Sequence, residues 1–78
     1  MGFRLKPVSG EKVIKILSKE YGFSVSGQAG SHVRLSKLTV EGKVVTVVPL
    51  HAELRVGTLR NVLKLAKIDP DDFAYHLY

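Results

Sequence analysis

Two periods of hydrophobic and polar residues alternate along this 78-residue chain, and each change of period marks an element. Between Ser9 and Tyr21 the apolar residues Val13, Ile14, Ile16, Leu17 and Tyr21 fall at helical spacing, which predicts an amphipathic helix. Ser9 suits its N-cap, Glu11 its first turn, and Gly22 the left-handed position that ends it. Before it, Met1 to Val8 reads as an extended lead-in. Phe3 and Leu5 alternate there with Arg4 and Lys6, and Pro7 keeps Lys6 out of helical space. From Phe23 the period falls to two. Residues 23–26 predict a short strand, 27–30 a turn and 31–38 a second strand. Residues 43–48, rich in β-branched side chains, predict a third strand that follows a turn at Glu41-Gly42 and stops at Pro49. The helical period returns with Leu59, Val62, Leu63 and Ala66, on a helix that starts at Gly57-Thr58 with Thr58 as N-cap. Asp69 and Pro70 open a short third helix, with Asp71 and Asp72 in its first turn and Phe73 and Leu77 on its inner side.

The order helix, strand, strand, strand, helix, with a short C-terminal helix, predicts an α+β fold. Its economical packing is a three-stranded antiparallel meander with the helices on one face. The length allows one domain, residues 1–78, with no internal repeat or linker. A core of this size gives only about 3–5 kcal/mol of net stability.

The second strand then has a face to spare. If Val33 and Leu35 point to the core, His32, Arg34 and Ser36 line the opposite, open face. A hairpin at Glu41-Gly42 puts Val40 opposite Lys43 and His32 opposite His51, whereas a slip of two residues puts His32 opposite Pro49. Either register brings the neighbourhood of His51 beside His32. Residues 44–48 are apolar at both parities, so the outer side of that strand is expected to be covered by a protein partner or by a second copy of the chain.

Charge adds to this picture. The formal net charge is +5, but residues 68–78 hold three aspartates and no Lys or Arg. The first 67 residues therefore carry a net +8, a surface that attracts phosphate backbones. Lys12, Lys15 and Lys19 share the outer face of the first helix, and Arg60, Lys64 and Lys67 lie on the outer side of the second. Each row reads either as a solvated helix face or as a phosphate-tracking ridge. There is no cysteine, no apolar run of the ~18 residues a span requires, and no signal-peptide core at the start. The expected location is the cytoplasm, with no membrane contact.

The residue types exclude several chemistries. No metal-ligand spacing, phosphate-cradling loop or nucleophile elbow is present, so no metal or other cofactor is expected. His76 lies near the end of the terminal helix, where the dipole favours it. His51 and His32 each have a structural reading as well as a catalytic one. Cleavage of RNA needs a base for a 2′-hydroxyl, an acid for the departing oxygen and cations for the phosphate. Histidine can fill either proton role near neutrality, and Arg34 could stabilise developing charge.

Five stretches in order carry a resemblance. They are Lys6-Pro7-Val8-Ser9-Gly10-Glu11-Lys12-Val13-Ile14, Tyr21-Gly22-Phe23, Gly30-Ser31-His32, Val47-Val48-Pro49-Leu50-His51, and the run from Glu53-Leu54-Arg55-Val56-Gly57 to Lys64. Together they resemble the HicA family of mRNA interferase toxins, over about residues 6–73. The resemblance implies a fold like the double-stranded-RNA-binding domain and an endoribonuclease that cleaves mRNA. It also implies a HicB-type antitoxin as partner and, through the Gly-Ser-His motif, a catalytic role for His32. Gly30 and Ser31 match the residues before that histidine, and His51 receives no catalytic role from the match. With the basic surface added, the expected RNA-binding set is Gly30, Ser31, Arg34, Lys12, Lys15, Lys19, Lys37, Arg60 and Lys64. The alternative is a basic RNA-binding module of the same fold that cleaves nothing. Two positions depart from the family: residues 38–42 replace its usual His-Pro-Asp-Gly-like turn, and Ala66-Lys67 stands where it usually has Ala-Gly.

Overall fold

The computed structural model describes residues 4–78, so the expectation for Phe3 lies outside the described residues. Helix α1 spans Gly10–Tyr21, strands β1, β2 and β3 span Ser24–Ala29, His32–Thr39 and Gly42–Pro49, and helices α2 and α3 span Val56–Ala66 and Pro70–Tyr75. The strands form one antiparallel sheet in the order β1-β2-β3, and α1 and α2 cover one face. This is the predicted α+β, double-stranded-RNA-binding-domain-like arrangement with a short helix appended.

Local chemistry sets the ends of α1. Ser9 is extended and its hydroxyl accepts from the Lys12 amide at 3.1 Å, one of the donors a helix start leaves unpaired. Gly22 closes the helix in the left-handed conformation, φ 74°. Between them Val13, Ile16 and Leu17 are buried, while Ile14 and Tyr21 pack against the rim of the core. Helix α2 starts earlier than the sequence predicts. Its N-cap is Arg55, which makes no side-chain cap, so Thr58 lies inside the helix. An antiparallel bridge between Val8 and Leu54 fixes the approach to α2 and overrides the local capping preference. Leu59, Val62, Leu63 and Ala66 then face the core as expected. Lys67 ends α2 at φ 59°, a lysine in the left-handed region that favours glycine.

Sheet pairing settles the register. Thr39 pairs with Gly42, so the β2–β3 turn is Val40-Glu41 rather than Glu41-Gly42, and His32 pairs with Pro49 rather than His51. The Thr39 side chain drives this choice: its hydroxyl accepts from the Glu41 amide and donates to the Gly42 carbonyl at 2.8 Å. The first hairpin is also tighter than predicted. Strand β1 runs to Ala29, which pairs with His32, leaving Gly30-Ser31 as a two-residue turn with Gly30 at φ 59°. Gly27 is therefore not in the turn; it follows a bulge at Ser26.

Val33, Leu35, Val44 and Val48 enter the core with Leu17, Phe73 and the apolar stripe of α2. Thr46 is the one buried polar residue among those described, and its hydroxyl donates to the Val62 carbonyl of α2 at 2.8 Å. Helix α3 is capped by Asp69, whose carboxylate accepts from the Asp71 amide, and Pro70 occupies its first turn. It buries Phe73 and is tied to α1 by Tyr21, which stacks on Phe73 and donates to the Asp72 carboxylate at 2.6 Å. Burial, and then that carboxylate, push the Tyr21 phenol well above the usual tyrosine range.

Candidate nucleic-acid interface

Because β2 alternates, His32 and Arg34 are exposed on the face that no helix covers, with Ser36 half-buried beside them. The pairs Arg34–Val47 and Ser36–Val45 add a half-apolar strip from β3 to the same face. Val47 is 38% exposed and Val45 half-buried, so the outer side of β3 is not fully packed within one chain.

His32 opens β2 immediately after the Gly30-Ser31 turn. A left-handed Gly30 suits the first position of such a turn, and the Gln28 amide donates to the Gly30 carbonyl at 3.0 Å. On its other side the Leu50 amide donates to the Ser31 carbonyl, at 2.6 Å, which extends the ladder one residue past Pro49. His51 follows directly. Its carbonyl accepts from the Gly10 amide at 3.0 Å, which joins the segment after β3 to the first turn of α1. At that junction a Cβ on Gly10 would collide with the Pro49 carbonyl, so only glycine fits. Ser9, Glu11, Leu50, His51 and Ala52 line a cleft of about 580 Å³ there.

The predicted cations divide into three groups. Arg34 shares the open face with His32. Lys12, Lys15, Lys19, Arg60 and Lys64 are exposed on the outward faces of α1 and α2, on the helical side of the molecule. Lys12, Lys15 and Lys19 border a groove of about 170 Å³ with Ile16, Glu20 and His76. Lys37 belongs to neither surface. Its ammonium donates to the Tyr21 carbonyl at 3.1 Å and lies over the Phe23 ring, at the C-terminal end of α1. His76 caps α3 and makes edge contacts with Tyr21 and Tyr75.

Both registers weighed from the sequence place His51 near His32, but neither reveals that α1 begins at the same place. Among the described residues no group of three His, Cys, Asp or Glu side chains is gathered that could hold a metal ion, and no helix is long and apolar enough to cross a membrane.

The α-β-β-β-α order around one three-stranded antiparallel sheet defines the class: a small α+β domain like the double-stranded-RNA-binding fold. The model of the HicA toxin of bacterial toxin-antitoxin systems matches residues 10–68, from the first residue of α1 to just past α2, and the chain belongs to that family. Membership makes it the toxin component of a toxin-antitoxin system and implies a HicB antitoxin as its partner. No curated protein and no solved structure matches the chain significantly.

Proposed function

We propose that this toxin is an endoribonuclease that cleaves mRNA in the cytoplasm, with His32 as a proton-transfer group at the scissile bond. The observation that carries the reading is the exposed imidazole of the Gly-Ser-His motif, beside Arg34, on a sheet face that no helix covers. A neutral imidazole takes a proton from a ribose 2′-hydroxyl, and a neighbouring guanidinium steadies the charge that grows on phosphate. Gly30 and Ser31 shape the turn that presents this group, and the turn's backbone is open to an approaching ribose-phosphate chain. The lysines of α1, with Arg60 and Lys64, act at longer range. They lie on the helical side, so they raise the local RNA concentration in a salt-dependent way without touching the reacting phosphate.

The test is incubation of the purified chain with RNA followed by a denaturing gel. His32→Gln should reduce cleavage by about 10²–10⁴-fold while the circular dichroism spectrum and melting temperature stay unchanged. Retained RNA binding without products from the parent would favour the binding-module alternative; equal cleavage by parent and variant would remove His32 from the chemistry. We propose further that the half-apolar strip of Val45 and Val47 is where the antitoxin, or failing that a second copy, covers the sheet. Hydrogen-exchange protection of β3 on adding the antitoxin, and none on raising the toxin concentration alone, is the expected result.

A further inference from the structure

We propose that His51 is the second proton-transfer residue of the cleavage reaction, the general acid that protonates the leaving 5′-oxygen. This rests on the nuclease reading above and goes beyond it. The sequence resemblance places one histidine in the chemistry, yet a phosphodiester cleavage that uses the 2′-hydroxyl needs a proton removed on one side of phosphorus and delivered on the other.

The fold supplies a candidate for each side. His32 pairs with Pro49, and the Leu50 amide bonds to the Ser31 carbonyl, so the backbone carrying His51 is held beside the backbone carrying His32. His51 follows Pro49, the partner of His32, by two residues, so the two histidines lie at the same end of the β2–β3 ladder. His51 is exposed, and its loop does not hang free. Its carbonyl accepts from the Gly10 amide, and Gly10 abuts the Pro49 carbonyl so closely that no side chain fits between. The imidazole is thus mounted on a backbone fixed from two directions, as a catalytic group requires.

The cleft lined by Ser9, Glu11, Leu50, His51 and Ala52 decides the roles. It is an open depression of about 580 Å³ beside His51, and in this reading it receives the downstream nucleoside. The nucleotide downstream of the scissile bond enters it, which sets its 5′-oxygen beside His51. The upstream ribose lies over the open face, with its 2′-hydroxyl at His32. His32 takes the 2′ proton, the 2′-oxygen bonds to phosphorus to give a 2′,3′-cyclic phosphate, the P–O5′ bond breaks, and the His51 imidazolium gives its proton to the departing oxygen. Protons and charge balance, and no metal or further reactant takes part.

The experiment compares the parent, His51→Gln and His32→Gln on two RNA oligonucleotides. One is all-oxygen. The other carries sulfur in place of the bridging 5′-oxygen at the linkage the parent cleaves, and a thiolate leaves without being protonated. On the oxygen substrate both variants should lose about 10²–10⁴-fold. On the sulfur substrate His51→Gln should recover to within about tenfold of the parent, while His32→Gln stays slow. Circular dichroism confirms that each variant is folded. Parent-like cleavage of the oxygen substrate by His51→Gln overturns the proposal, as does a defect that sulfur does not relieve, and both leave the role of His32 standing. A parent that cleaves neither substrate removes the nuclease reading and this proposal with it.

Discussion

The two faces of the β2–β3 ladder are built from neighbouring residues and obey opposite rules. Toward the helices stand Val33, Leu35, Val44, Thr46 and Val48, all buried, with the single hydroxyl among them satisfied by Val62. One residue away along each strand stand His32, Arg34, Val45 and Val47, none of them fully buried. The inner face is stabilised by apolar area removed from water, and every polar group there must be paired. The outer face contributes little to folding, so its residue types are free to be chosen for chemistry. The period-two geometry of a strand lets one short segment hold both sets.

The largest expected contrast comes from two residues of β2 that face opposite ways. His32→Gln should reduce RNA cleavage by about 10²–10⁴-fold with no change in urea midpoint. Leu35→Ala, three positions on, should remove about 3 kcal/mol, most of the stability a domain of this size holds, and leave the chain largely unfolded in the same urea titration. If His32→Gln were as destabilising as Leu35→Ala, the division between the faces would fail.

Gly10 is where the two faces communicate. Gly10→Ala should cost about 2–3 kcal/mol by forcing α1 away from Pro49, and it should slow cleavage even where the protein remains folded, because Pro49 faces His32. Thermal denaturation paired with a cleavage assay at low temperature separates the two effects. A smaller, purely structural change is expected from Thr46→Val, about 1 kcal/mol for the lost bond between β3 and α2, read as a lower urea midpoint with unaltered cleavage. The smallest should come from Lys67→Gly. It relieves a left-handed lysine far from the sheet, and the melting temperature should rise by a few degrees with no effect on activity.

Much of the fold was legible in the sequence because its signals were local and mutually consistent. Ser9, Gly22, Asp69 and Pro70 mark helix ends by their own chemistry, and the stripes of α1 and α2 identify their buried faces. The failures came where a distant contact outweighed a local preference. Thr58 is a better cap than Arg55, yet the Val8–Leu54 bridge starts α2 earlier. Glu41-Gly42 is a sound turn, yet the Thr39 hydroxyl moves it back by one residue. For the site, strand parity sufficed to expose His32 and Arg34. It could not show that Lys37 reaches back to the Tyr21 carbonyl, or that α1 begins against His51, because both depend on how helix and sheet are stacked.

The family match stops at residue 68, and the helix beyond it seals the molecule: Phe73 is wholly inaccessible, and Tyr21 grips Asp72. A polypeptide interrupted after Ile68 would hold every shared position and still lack its plug. A chain cut there should be an easy target for proteolysis, so the domain's persistence depends on a helix that lies outside the matched residues.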